Sequence, residues 1–89
     1  MNEILKKIAE IGIVPVIKLE NADNAVPLCK ALKEGGLPIA EITFRTKAAR
    51  ESIANVAREL PDVLVGAGTV LSVEQVKQAV EAGAKFIVS

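Results

Sequence analysis

Polar and apolar side chains alternate over residues 40–46, which read Ala-Glu-Ile-Thr-Phe-Arg-Thr. Strict alternation predicts a β-strand, because successive side chains of a strand point to opposite faces. Glu41, Thr43 and Arg45 then share one face. A carboxylate there can move protons, and a guanidinium can bind a carboxylate or a phosphate through paired hydrogen bonds. Alternatively, these side chains simply face solvent on one side of an antiparallel strand.

Two further polar residues follow predicted strands. Lys18 comes after a β-branched run at residues 13–17, and Thr69 follows a strand at residues 63–65. In α/β folds the working groups lie at the C-terminal ends of the strands, so both residues join the candidate site. Structural alternatives remain open for each of them. Lys18 could form an ion pair with Glu41, and Thr69 could cap or turn the chain.

The glycine pair Gly66-Ala-Gly68 allows another group to approach the backbone closely. It is not the dinucleotide-binding fingerprint G-x-G-x-x-G, because Leu71 stands where the third glycine would be. A module that binds nucleotide or phosphate is therefore the least favoured alternative.

The elements that would position these residues alternate regularly. The predicted order is a leading helix over residues 2–11, a strand at 13–17, a helix over 24–34, a strand at 38–45, a helix over 47–60, a strand at 63–65, a helix between Ser72 and Gly83, and a strand starting in 85–89. Thr46 is the predicted N-cap of the 47–60 helix, and Ser72 with Gln75 fits a capping box. This alternation predicts βαβ units and a parallel sheet, either covered on both faces or closed into a barrel.

Composition limits the chemistry. The 89 residues carry 11 basic and 11 acidic side chains, which gives no charge footprint for nucleic acid or an anionic membrane. No histidine is present, so Ser-His and Cys-His catalysis and histidine metal sites are excluded. The single cysteine, Cys29, falls in a helical stretch and is expected to be a buried, inert thiol. One cysteine and a leading segment interrupted by charges favour the cytoplasm.

Four segments resemble one enzyme family, the 2-keto-3-deoxy-6-phosphogluconate (KDPG) and 4-hydroxy-2-oxoglutarate (KHG) aldolases. They are Pro15-Val-Ile, Glu41-Ile-Thr-Phe-Arg-Thr46, Gly66-Ala-Gly-Thr-Val70 and Glu81-Ala-Gly-Ala-Lys-Phe-Ile-Val-Ser89. The resemblance covers the whole chain in order. It implies that residues 1–89 are one partial domain, a leading helix plus (βα)3β, forming the N-terminal half of a TIM (β/α)8 barrel. It further implies a homotrimeric class I aldolase that uses no metal or cofactor.

The family reaction splits KDPG into pyruvate and glyceraldehyde 3-phosphate, or KHG into pyruvate and glyoxylate, through a lysine Schiff base. By resemblance, Glu41 is the general acid/base acting through a water, Arg45 and Thr69 hold the pyruvate carboxylate, and Lys18 is a phosphate or acid contact. The family's Schiff-base lysine lies on the sixth strand, outside these 89 residues. We therefore expect this chain to be inactive alone. The alternative is a non-catalytic half-barrel that self-associates through its open sheet edges.

Overall fold

A computed structural model describes Gly12 and residues 14–89. The leading helix predicted over residues 2–11 lies outside the described residues. The elements in chain order are β1 (Val16–Ile17), a 3-10 turn (Ala22–Asn24), α1 (Ala25–Glu34), β2 (Ile39–Thr43), α2 (Ala49–Glu59), β3 (Leu64–Gly68) and α3 (Val73–Ala82). Within the described part of the chain, no helix is long and apolar enough to cross a bilayer.

The three strands form one parallel sheet in the order β1-β2-β3. Their register places Val16 beside Glu41, and Glu41 beside Gly66. Each strand therefore lies next to the one before it in sequence, whereas the strand order of a doubly wound sheet reverses at a switch point. Sequential parallel strands joined by helices are the arrangement found in the wall of a (β/α)8 barrel. The predicted βαβ organisation is confirmed.

The segment that follows α3 extends the sheet beyond β3. Ile87 forms a parallel bridge with Ala67, and the Val88 N–H donates to the Ala67 carbonyl at 2.8 Å. The strand predicted to start in residues 85–89 is thus present as a short parallel pairing rather than as a full strand.

One face of the sheet packs against the helices. Ala40 and Ile42 of β2 and Val65 of β3 are fully buried on this face. The helices contribute these buried residues to the same cluster: Ala25, Cys29, Ala49, Ile53, Val56 and Ala79. Full burial of one Val or Ile side chain contributes about 1.5–3 kcal/mol. This layer therefore holds the strands in the order that determines the site.

The opposite face of the sheet, called the inner face below, carries the polar residues. Because side chains alternate along a strand, Glu41 and Thr43 of β2 point to the inner face, as do the positions of Gly66 and Gly68 in β3. The Phe86 ring lies over Gly66 on the same face. The alternation of residues 40–46 predicted one polar face. None of the described helices packs on that face.

The C-terminal ends of two strands differ from those predicted. β3 runs to Gly68 rather than ending at residue 65, because Gly66 and Gly68 continue the parallel pairing with β2. β2 ends at Thr43 rather than at residue 45, and the N–H of Phe44 then donates to the Gly68 carbonyl at 2.8 Å as the chain turns. Arg45 consequently lies in a turn and not on the strand.

The predicted N-cap of α2 is wrong. The helix begins at Ala49 after Ala48, whose side chain makes no capping bond. The Thr46 hydroxyl donates instead to the Leu19 carbonyl, and so ties the turn after β2 to the loop after β1. This tertiary contact takes the hydroxyl that a local cap would have used.

The predicted start of α3 is confirmed. Ser72 Oγ accepts from the Gln75 N–H at 3.2 Å, and Gln75 Oε1 accepts from the Leu71 N–H at 2.7 Å. Gly83, at φ 103°, ends the helix in the left-handed conformation that glycine adopts without strain. These two signals fix the helix that leads into the fourth segment of the sheet.

Cys29 of α1 is fully buried, as predicted. Burial raises the pKa of its thiol above the ordinary value. Since the thiolate is the nucleophilic form, this cysteine is an inert packing residue.

Candidate active site

Glu41 occupies the centre of the inner face, on the middle strand of the sheet. Its Cα is in register with Gly66, and its side chain extends towards Gly68. The residue is half-buried. No ion pair or side-chain hydrogen bond to Glu41 is found among the residues that the structure describes. Its carboxylate is thus positioned by packing and remains available to a ligand or a water.

Two glycines of β3 form the surroundings of this carboxylate. A Cβ built on Gly68 would lie 2.7 Å from Cδ and 2.9 Å from Cγ of Glu41, and closer still to one carboxylate oxygen. A Cβ built on Gly66 would overlap the ring of Phe86. The glycine pair therefore lies inside a strand and accommodates two side chains. This placement differs from a phosphate-binding loop, which precedes a helix N-terminus.

Hydroxyl groups join the ends of β1 and β2. Thr43 is 4% exposed, and its Oγ1 donates to the Ile17 carbonyl at 3.4 Å. The Thr46 hydroxyl makes the equivalent bond to the Leu19 carbonyl. These two bonds fix the loop that carries Lys18 relative to the turn that carries Arg45.

Arg45 lies in the turn after β2 and is exposed. Arg45 was predicted to lie on the strand, two residues after Thr43 and on the same face as Glu41. The turn starts from the hydrogen bond between Phe44 and Gly68, so the backbone beside Arg45 is held against the end of β3. Within Gly12 and residues 14–89, none of the ion pairs involves Arg45. Its guanidinium is therefore free to meet an anion at the C-terminal edge of the sheet.

Thr69 directly follows β3 and adopts φ 54°, in the left-handed region. A β-branched residue rarely adopts this conformation, because its side chain crowds the backbone. Among the described non-glycine residues, Thr69 alone has a positive φ. Backbone strain of this kind is concentrated at functional sites.

Lys18 lies in the loop after β1, with its side chain 59% exposed. Its Nζ is 3.6 Å from Oε1 of Glu20, and this exposed pair is the ion pair that Lys18 forms in the structure. The alternative pairing of Lys18 with Glu41 does not occur. Lys18 lies on the same edge as Arg45 and Thr69 without contacting the carboxylate. Residues 12 and 14–89 contain no group of three or more acidic or Cys side chains that could hold a metal ion.

Sequence reasoning missed Phe86 and the role of the two glycines as neighbours of Glu41. The available signal was the spacing of Gly66 and Gly68, which places both on one face of a strand. The predicted end of β3 at residue 65 removed that signal, because glycines in a turn have no common face.

The chain is similar to known proteins of one family. The family model described as KDPG and KHG aldolase matches residues 3–89. A 2-dehydro-3-deoxy-phosphogluconate aldolase of Treponema pallidum is 49% identical over 89 residues, covering 100% of this chain and 42% of that protein. The KHG/KDPG aldolase of Escherichia coli K12 is 46% identical over 77 residues, covering 86% of this chain and 36% of that protein. The chain therefore spans about two fifths of the length of the curated relatives it matches.

A solved structure of a KDPG aldolase has the same fold over the matched residues. KDPG aldolase from Legionella pneumophila, with pyruvate captured at low pH as a covalent carbinolamine intermediate, superposes with a TM-score of 0.81 at 39% identity. The match covers 85% of this chain and 37% of that one. This chain belongs to the KDPG and KHG aldolase family. Its parallel strands and helices correspond to the first βα units of the family's (β/α)8 barrel.

Proposed function

We propose that this chain supplies the acid/base and carboxylate-binding part of a class I aldolase. The enzyme cleaves KDPG to pyruvate and glyceraldehyde 3-phosphate, or KHG to pyruvate and glyoxylate. The observation that carries the proposal is the half-buried Glu41 carboxylate on the inner face, without a counter-ion among the described residues, in a chain of the aldolase family.

The roles follow from the chemistry of each group. An iminium formed on the keto carbon accepts the electron pair of the carbon–carbon bond that breaks. A base must take the proton from the hydroxyl on the carbon that becomes the aldehyde. Glu41 is that base, through a water, and returns a proton to the resulting enamine. Arg45 binds the pyruvate carboxylate, and Thr69 presents its hydroxyl and backbone to the same group. Lys18, at the same edge, contacts a phosphate or acid group of the substrate.

The nucleophilic lysine belongs to the later part of the family's barrel. The described lysines support this assignment, because Lys18 is paired with Glu20 and does not contact the Glu41 carboxylate. The proposal also includes a cytoplasmic homo-oligomer, trimeric in the full-length family. The lone buried thiol supports the reducing compartment.

A chimera tests the roles of Glu41 and Arg45. These 89 residues would replace the aligned segment of the Treponema pallidum relative, which restores a complete barrel. We expect Glu41→Gln to slow exchange of the pyruvate methyl protons with deuterated water by about 10²- to 10⁴-fold, the usual contribution of general acid–base catalysis. Arg45→Ala should raise KM for pyruvate instead. Matched controls on exposed helix positions are Glu51→Gln and Arg58→Ala, which should leave both values unchanged. Unimpaired exchange in Glu41→Gln would refute the acid/base role.

Borohydride trapping with pyruvate, read by intact mass, locates the nucleophile. We expect the chimera to gain a pyruvyl adduct and the 89-residue chain alone to gain none. An adduct on the chain alone would assign imine chemistry to one of its own lysines, and Lys18→Met would then identify or exclude the strand-end lysine.

Self-association is a second candidate function, and a specific observation favours it. Val73, Val76 and Val80 recur at helical spacing on α3 and are exposed, and Val16 is exposed at the edge strand of the sheet. Apolar surface of this kind is normally covered by another element or another chain.

A further inference from the structure

The space around Glu41 is shaped by the absence of side chains at Gly66 and Gly68 of β3. Glu41 lies in register with Gly66, whose inner side is filled by the Phe86 ring. The carboxylate instead extends over Gly68, one inward-facing position closer to the C-terminal edge. The space above Gly68, called the Gly68 slot here, therefore sets the direction in which the carboxylate points.

The backbone gives no other reason for glycine at residue 68. Gly12, Gly36 and Gly83 are the described glycines with positive φ, and Gly68 is not among them. Its conformation is that of an ordinary strand residue, which any L-amino acid can adopt. A glycine also weakens a strand. A side chain at residue 68 would overlap Cγ, Cδ and one oxygen of Glu41, which now fill that space.

We propose that Gly68 is a positioning residue for the Glu41 carboxylate, and that the Gly68 slot directs this carboxylate towards the keto-acid substrate at the C-terminal edge of the sheet. The inference rests on the proposed acid/base function of Glu41. Phe86 acts with it, because its ring over Gly66 closes the neighbouring position on the inner face. The carboxylate therefore lies between the Phe86 ring and the C-terminal edge of the sheet.

The variant Gly68→Ala tests the proposal. The atoms that a methyl group would displace belong to the flexible end of Glu41, so the sheet can retain its register while the carboxylate moves. A catalytic group displaced by about 1 Å loses on the order of 10²-fold in rate. In the chimera we therefore expect Gly68→Ala to lower kcat and the rate of pyruvate proton exchange by about 10²-fold. KM should change little, because Arg45 and Thr69 remain. Gly35→Ala is the matched control, since a Cβ there meets ordinary contacts at 3.5 Å.

A double-mutant cycle separates positioning from a general effect on the fold. Once Glu41→Ala has removed the carboxylate, adding Gly68→Ala should cause no further loss of exchange rate. Any lowering of Tm by Gly68→Ala should also be relieved in the double variant, because the colliding atoms are gone. An equal loss of rate with and without the Glu41 carboxylate would overturn the proposal.

A structural readout on the 89-residue chain is independent of activity. Nuclear Overhauser contacts between the Gly68 Hα protons and the Glu41 Hγ protons are expected in the wild-type chain. Their absence would overturn the slot itself. If Glu41→Gln slows exchange but Gly68→Ala does not, the acid/base function stands and the positioning role fails. If Glu41→Gln has no effect on exchange, the proposed function fails and the positioning role fails with it.

Discussion

Thr69 is the described residue whose backbone is hardest to explain by folding alone. It holds φ 54° immediately after β3, although glycine would adopt this conformation without strain. A strained residue of this kind costs about 1–3 kcal/mol. The residue before it, Gly68, has no positive φ, so backbone preference alone would favour glycine at residue 69 rather than at residue 68. The proposed contact between the Thr69 hydroxyl and the substrate carboxylate would account for a threonine at this position.

Replacing Thr69 should therefore separate stability from binding. We expect Thr69→Gly to raise the free energy of unfolding of the 89-residue chain in urea by up to about 1 kcal/mol, because strain relief exceeds the entropy lost with glycine. The same change should raise KM for pyruvate in the chimera, whereas Thr69→Ser should preserve KM. An unchanged KM in Thr69→Gly would mean that Thr69 is a turn residue with no role in binding pyruvate.

Glu41 shows what the sequence can predict at the residue scale. Alternation over residues 40–46 placed its carboxylate on one strand face, and the structure has Glu41 and Thr43 on that face. Arg45 was predicted two residues further along the same face but lies in a turn, because the pairing with β3 ends at Thr43 and Gly68. Such a pairing depends on the neighbouring strand, which local alternation does not contain.

At the scale of elements, the buried side of α2 contains one unfavourable polar residue. Ser52 is fully buried, and in the described part of the chain its Oγ has no hydrogen-bond partner. A buried polar group without a partner costs about 1–3 kcal/mol. Serine is also a poorer helix former than alanine.

We expect Ser52→Ala to raise the free energy of unfolding by about 1 kcal/mol. Ser72→Ala is the contrasting control, because the Ser72 hydroxyl caps α3 and its loss should lower stability by about 1 kcal/mol. Urea denaturation followed by circular dichroism measures both. A loss of stability in Ser52→Ala would mean that the hydroxyl has a partner in the folded protein.

The elements themselves were largely predictable, because β-branched runs, glycines and prolines mark them along the chain. Their ends were less so. The end of α3 followed from Gly83 alone, which is a local signal. The extent of β3 did not follow from a local signal. Glycine is a weak strand former, and Gly66 and Gly68 belong to the strand only because they pair with β2. Thr46 likewise satisfies a carbonyl on a distant loop instead of capping its own helix.

At the scale of the whole molecule, the described part of the chain exposes a row of valines on α3. Val73, Val76 and Val80, the valine stripe, are 73%, 38% and 60% exposed. Ala79 of the same helix is fully buried. The valine stripe is therefore an apolar surface of this helix that the described protein leaves uncovered.

We expect the 89-residue chain to associate at micromolar concentrations through surfaces that include the valine stripe. Burying one valine contributes about 1.5–3 kcal/mol, so Val80→Lys should weaken association by about tenfold or more. Ala31→Lys adds the same charge at an exposed position of α1 and should have no effect. Sedimentation velocity over a concentration series measures both, and a wild-type chain that stays monomeric throughout would contradict the prediction.

The position of Glu41 relative to the Gly68 slot has a consequence for folding kinetics. The carboxylate is on β2 and the slot is on β3, and these parallel strands are joined only through α2. Closing such a crossover is a non-local event, and non-local pairing is the slow part of folding. The Glu41 carboxylate therefore reaches its place over Gly68 only when the crossover has closed. A refolding chain should acquire its helices first and the Gly68–Glu41 contact last, so formation of this contact reports completion of the sheet.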